Sequence, residues 1–442
     1  MTKRNAGFSL IELLVSLLIL TLILVAVLTL FERSTRIARA QTQIADMQQA
    51  VRVSQHQLVR TVRMAGRGGL PMIRVSSDDP SLRGAADHLL PHGVAIAVRN
   101  NVEAGAQVAP GSAGSPTAAE GTDILIVRGV LNGSLYQLDP GSPGSRIDPQ
   151  ASRGAIEVPA VSPTGTAQPL GDLCDQLLDA GGGALPNAVV LVSPAGEETY
   201  AVVQAGGVEG CGSERAGGKI TLRYDLEGAH AARYTQLSTA SPDGALPQHL
   251  RTVAYLGILE EYRFYIREDP VETDLAPLGD GTGTVRRLSR ARVYPNTDWP
   301  FADSAQNLRQ DIADNIVDLQ VALGIESRSD ADEVVGENLF ESGEVDPGGE
   351  DEWLFNSAAD DPQDTCKWNG VGDVACPAGG ANRLYYVRVT TLGRTDRPER
   401  TYRNPEIGAI EDRSYATVDA DGNERMFRRW MLTTVVDLRN LS

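Results

Sequence analysis

Gly7-Phe8-Ser9-Leu10-Ile11-Glu12-Leu13-Leu14-Val15 opens an apolar run that continues to Phe31 and contains one ionisable residue, Glu12. At 1.5 Å per residue, roughly 24 residues from Phe8 span about 36 Å, enough to cross a hydrocarbon core of about 30 Å with some tilt. A carboxylate inside such a helix costs about 2.5–3.5 kcal/mol at mid-bilayer, so Glu12 calls for a cationic mate. A secretory signal has an apolar region of about 7–15 residues ending in small residues at a cleavage point. This run is longer and leads straight into helix-forming sequence. In a plain single-pass anchor Glu12 snorkels to an interface, a reading that leaves the Gly7-Phe8 step unexplained.

Beyond Phe31 the helix is expected to continue. Ile37, Ile44, Met47, Val51, Leu58, Val62 and Ala65 recur at spacings of three, four and seven, which puts them on one apolar stripe with Gln, Arg and Asp on the other face. No glycine or proline interrupts residues 8–65, whereas Gly66, Gly68, Gly69 and Pro71 end the pattern. The expectation is one helix of about 58 residues, roughly 87 Å long, whose outer half enters a folded head.

With the basic leader Met1 to Gly7, the Gly7-Phe8 and Glu12 pattern resembles the prepilin processing site of type IV pilins and type II secretion pseudopilins. The resemblance implies cleavage by a prepilin peptidase between Gly7 and Phe8, N-methylation of Phe8, and a role for Glu12 in assembly register, paired with the terminal ammonium of a neighbouring subunit. Asn315 to Ile325 and the Arg63-Met64-Ala65-Gly66 helix ending look like segments of PilW-type minor pilins. Val436 to Asn440 is similar to the terminal strand of that group and of J-type minor pseudopilins. Major pilins often carry helix breakers in the later membrane portion, and this chain departs from them there. The implied architecture is α+β and pilin-like: leader 1–7, transmembrane segment 8–31, amphipathic continuation 32–66, and an antiparallel β-rich head 67–442 with long loops, open to division into two sheets or subdomains. The implied function is that of a minor pilin near a type IV pilus tip; the alternatives are a J-type minor pseudopilin, or a membrane-anchored periplasmic adhesin or binding protein. The implied partners are other minor and major pilins, the prepilin peptidase and an inner-membrane assembly platform. The implied location is the inner membrane with a periplasmic C-terminal domain, then the pilus.

The formal net charge is −18, with the acidic excess beyond the basic leader and proximal helix, which argues against nucleic acid as a partner, since phosphate binding needs a concentrated basic stripe. Four cysteines, Cys174, Cys211, Cys366 and Cys376, all follow the membrane run. An even number in a translocated region points to two disulfides, with nearest-neighbour pairing as the simplest of three connectivities. The alternation of apolar and polar residues predicts strands at 123–130, 188–193, 199–204, 219–224, 256–267, 316–325, 384–392 and 429–438. Residues 306–315 read as a short helix, and the breaker-rich stretches 103–121 and 139–171 read as surface loops.

The acidic region Glu326 to Asp364 offers oxygen ligands for calcium, with Asp330, Asp332 and Glu333 as candidates, although such a run is also an ordinary solvated loop. Asp419, Asp421 and Asn423 match the start of a calcium loop but lack its central glycine and closing glutamate. His88 and His92 are separated by Leu89-Leu90-Pro91, which breaks a helix, and no third ligand accompanies them. With no nucleophile elbow, phosphate loop or dinucleotide fingerprint, the expectation is a non-enzymatic protein without a resident cofactor.

Overall fold

The computed structural model describes residues 10–68, 95–109, 115–148, 151–178, 183, 188–192, 200–211, 218–225, 251–270, 284–294, 309–326, 352–355, 367–368, 374–375, 383–399, 402–411, 413–415 and 424–438. Two helices, α1 (Leu10–Arg63) and α2 (Leu170–Leu177), accompany nineteen strands among these residues. In chain order the strands are β1 (Ile96–Arg99), β2 (Ile124–Gly129), β3 (Tyr136–Gln137), β4 (Arg153–Pro159), β5 (Ala188–Val192), β6 (Tyr200–Glu209), β7 (Lys219–Asp225), β8 (Tyr255–Ile258), β9 (Glu260–Pro270), β10 (Thr284–Tyr294), β11 (Arg309–Asp314), β12 (Ile316–Glu326), β13 (Glu352–Phe355), β14 (Lys367–Trp368), β15 (Val374–Ala375), β16 (Arg383–Arg394), β17 (Ala409–Ile410), β18 (Arg413–Ser414) and β19 (Arg429–Asp437).

Three antiparallel sheets follow, ordered β1-β2-β9-β10-β11, β13-β12-β16-β19 and β3-β8-β5-β6-β7-β4, with short ribbons β14-β15 and β17-β18. Strands β2 and β9 are direct neighbours, with Leu125 opposite Phe264 and Val127 opposite Tyr262. All six strands of the third sheet, and α2 with them, lie between those two partners in the chain. The third sheet is therefore an insertion into the first. It has its own core, in which Leu170, Leu173 and Leu177 of α2 pack on Val189, Leu191, Val203, Leu222 and Leu256. The opposite face of β5 and β6 sends Val190 and Val202 into the principal core.

That principal core is built around the distal half of α1. Val51, Leu58, Val62 and Ala65 are fully buried among Leu125, Val127, Phe264, Leu319, Val321, Val387, Val389 and Val436. The apolar stripe thus does the packing expected of it, but only from Met47 onward; Ile37 stays 60% exposed. One polar residue joins the buried side. Gln55, expected on the outer face, is 4% exposed, and its Nε2 donates to Val389 O at 3.1 Å, Thr391 Oγ1 at 3.1 Å and Leu432 O at 2.8 Å. Placing the amide there ties α1 to β16 and β19 by directional bonds that an apolar residue could not make. The end of α1 is also fastened: Gly66, at φ +71°, donates its N–H to Arg128 O at 3.0 Å, and Val130 N–H donates to Arg67 O at 2.8 Å.

Helix and sheet pack without spare room at Gly393, where an added Cβ would collide with Val51 Cγ2. Gly393→Val is expected to push α1 off β16 and lower head stability by about 1–3 kcal/mol, the cost of forcing extra methyls into a packed site. A thermal midpoint equal to wild type would refute it.

Several sequence expectations need correction. The single strand at 256–267 is two strands in different sheets: Leu259 is buried at the junction, and the Glu260 carboxylate accepts N–H bonds from Leu131, Asn132 and Gly133 at 2.9, 2.5 and 3.2 Å. Residues 309–314 form β11 instead of a helix. Cross-strand charge decides it, because Asp311 accepts from Ser289 Oγ at 2.7 Å and from Arg267 and Arg287. Burial opposes ionisation of Asp311, yet that hydroxyl and the two arginines outweigh it and hold its pKa below the ordinary value. Stretch 103–121 is not merely a surface loop, since Val108, Ala109, Ala118 and Ala119 are buried. Stretch 139–171 supplies β4, whose Ile156 and Val158 face the insert's core.

Candidate functional site: an exposed apolar helix

Among the described residues, the first buried side chain of α1 is Met47. Every large apolar side chain from Leu10 to Phe31 is exposed, from 51% at Ile19 to 79% at Leu10. The helix is long and apolar enough to cross a membrane, with a mean hydropathy of 3.1 in its most apolar window. Each Leu, Ile or Val left in water forfeits about 1.5–3 kcal/mol, so this surface belongs in lipid or against other helices. Its hydroxyls fit such surroundings. Ser16 Oγ donates to Glu12 O at 2.6 Å, Thr29 Oγ1 to Ala26 O at 2.8 Å, and Thr21 Oγ1 to Leu17 O. None of these three hydroxyls needs a water partner.

Glu12 lies in the first described turn of α1, at the N-terminal end of the exposed apolar run.

Past the apolar half the character changes. Residues 32–67 contain seven arginines against only Glu32 and Asp46. His56, Arg60 and Arg63, with Gln55 and Val59, line an open groove of about 430 Å³ beside the head. Arg52 stacks over the Trp430 ring at 5.6 Å.

Among the other candidates, Cys174 on α2 is bonded to Cys211 just after β6, closing the insert's core from its edge. Gly7, Phe8, Cys366, Cys376, Asp330, Asp332, Glu333, His88, His92, Asp419, Asp421 and Asn423 lie outside the described residues. Among the described residues no group of three or more His, Cys, Asp or Glu side chains is arranged to hold a metal ion.

Two buried tyrosines make the insert sensitive to alkali. Burial, reinforced by Asp172, pushes the Tyr136 phenol up to about 12; burial, reinforced by Asp148, does the same for Tyr224. In the unfolded chain both ionise near the ordinary value of 10, so the folded state keeps protons that the unfolded state has lost. Their contribution is intact below pH 10 and is lost as pH rises towards 12, with each phenol giving up about 1.4 kcal/mol for every pH step of one across that window. Phenol absorbance and far-ultraviolet circular dichroism, followed through the same window, should show ionisation and loss of β structure together; ionisation with the fold intact would contradict this.

Residues 2–28 match the family described as the prokaryotic N-terminal methylation motif. No curated protein and no solved structure matches the chain. The motif supports a pilin-like or pseudopilin-like reading, and it is joined here to a membrane-length helix and an antiparallel β-rich head.

Proposed function

We propose that this chain is a minor pilin of a type IV pilus, of the PilW kind, which sits in the inner membrane before assembly and near the pilus tip afterwards. The observation that carries the reading is the methylation motif at residues 2–28, which overlaps a helix whose large apolar side chains from Leu10 to Phe31 are all exposed. Cleavage between Gly7 and Phe8 frees an ammonium, which is methylated on Phe8. The apolar half of α1 holds the subunit in the bilayer and then packs in the filament core. Glu12 takes the terminal ammonium of an adjacent subunit and sets the axial step. The head, enlarged by the inserted third sheet, makes lateral contacts with other pilins, and its bulk favours a low-copy, terminal place over repetition along a narrow fibre. The Cys174–Cys211 disulfide supports a periplasmic head, because such bonds persist in oxidising compartments. The role is structural, not enzymatic.

Deleting the chain and scoring pili and type II secretion side by side tests the reading. Loss of pili with normal secretion is expected. Loss of secretion with pili intact would transfer the chain to the J-type minor pseudopilins, and loss of neither would favour an anchored adhesin or binding protein.

A further inference from the structure

Arg33, Arg36 and Arg39 follow Phe31 within three helical turns, and all three are exposed. From Leu10 to Phe31 the helix rises roughly 32 Å, about the thickness of the hydrocarbon core, so these arginines begin where lipid tails end. Arg33 lies about 3 Å and Arg39 about 12 Å further along the axis. Helix side chains lean towards the N-terminus, which brings the guanidinium groups of Arg36 and Arg39 back down towards the bilayer. The head does not claim them: the first buried residue of α1 is Met47, roughly 24 Å beyond Phe31. Arg36 pairs with Glu32 on the exposed helix surface, and Arg33 and Arg39 form no ion pair among the described residues.

We propose that Arg33, Arg36 and Arg39 form a collar that binds the phosphate groups of anionic phospholipids in the leaflet facing the head. The inference rests on α1 being a membrane anchor. Guanidinium suits the task, because its planar fork bonds two phosphate oxygens at once. Charge gives the collar a purpose. The chain's net charge is −18 although its leader and α1 are net basic, so the acidic excess lies in the head, and an anionic bilayer repels it. A basic ring at the headgroups, followed by a bare stretch of helix, anchors the subunit and keeps the acidic head at a distance. The lipid contacts must break when the subunit leaves the membrane, so the collar also retains it there until assembly.

The test is native mass spectrometry of the full chain in detergent, titrated with phosphatidylglycerol or phosphatidylcholine. Near-surface arginines contribute roughly fivefold each, so phosphatidylglycerol should be retained at a concentration at least tenfold lower. The triple variant Arg33→Gln, Arg36→Gln, Arg39→Gln should lose that preference while its head unfolds at the wild-type temperature, since none of the three touches the head. Equal binding of both lipids by the wild type, a preference surviving in the triple variant, or displacement of phosphatidylglycerol by equimolar inorganic phosphate would each overturn the proposal. The same spectra weigh the N-terminus, so a failed collar is distinguishable from a failure of N-terminal processing.

Discussion

Glu12→Val is expected to cut recovery of this chain with other pilins by at least tenfold while leaving it abundant in the membrane. The substitution acts on both sides of the assembly equilibrium. In the bilayer it removes a carboxylate whose cost reaches about 2.5–3.5 kcal/mol at mid-bilayer and is smaller near an interface, so the unassembled subunit becomes no less comfortable. In the filament it strands a terminal ammonium that had a mate, and removing one partner of a desolvated pair costs about 3–5 kcal/mol. Both effects favour the membrane pool, and each 1.4 kcal/mol is about tenfold. Glu12→Gln should show the same direction with a smaller effect, because the amide still accepts a hydrogen bond. Undiminished incorporation of the valine variant would discard the pairing.

The head has its own point of high stakes. Glu261 lies between two arginines, accepting from Arg128 Nε at 2.8 Å and from Arg263 Nη2 at 2.6 Å, with all three side chains 1–2% exposed. Arg263 also donates to Val108 O, linking the strand to the packed stretch at 102–109. Glu261→Ala leaves two guanidinium groups buried in the first sheet without this counter-charge, a loss of about 3–5 kcal/mol against a typical domain stability of about 5–15 kcal/mol. A fall of roughly 6–20 °C in the thermal midpoint follows. Replacing all three residues with Met or Leu should recover most of the loss, since buried ion clusters rarely outperform apolar packing of equal volume. If Glu261→Ala melts with the wild type, the cluster is not holding the sheet.

What the chain discloses by itself follows from how local each signal is. The long helix is legible because its apolar run and stripe are patterns of consecutive residues, and Gly66 marks its end at a positive φ. Strand β16 is legible for the same reason, with Val387, Val389 and Thr391 alternating into the core against α1. The inserted third sheet is not legible, because nothing local to β2 or β9 says that they pair across six intervening strands. Strand β10 is missing from the expected strands because Arg286, Arg287, Arg290 and Arg292 interrupt the apolar pattern, whereas Leu288, Ala291 and Val293 are buried, and Arg286 and Arg287 answer acids on neighbouring strands. Gln55 defeats periodicity altogether, since a glutamine on an apolar face looks like an error until the carbonyls of β16 and β19 are in place. At the candidate site the asymmetry is sharper. Glu12 and the apolar surface stand out in one pass along the sequence, but the partner proposed for Glu12 would belong to another molecule.

The most direct test is the mass and N-terminal sequence of the protein extracted from membranes that contain its native peptidase. The account predicts a chain lacking Met1 to Gly7 and beginning with a methylated Phe8. A chain that keeps Met1 to Gly7, or one cut anywhere other than the Gly7-Phe8 bond, would contradict it.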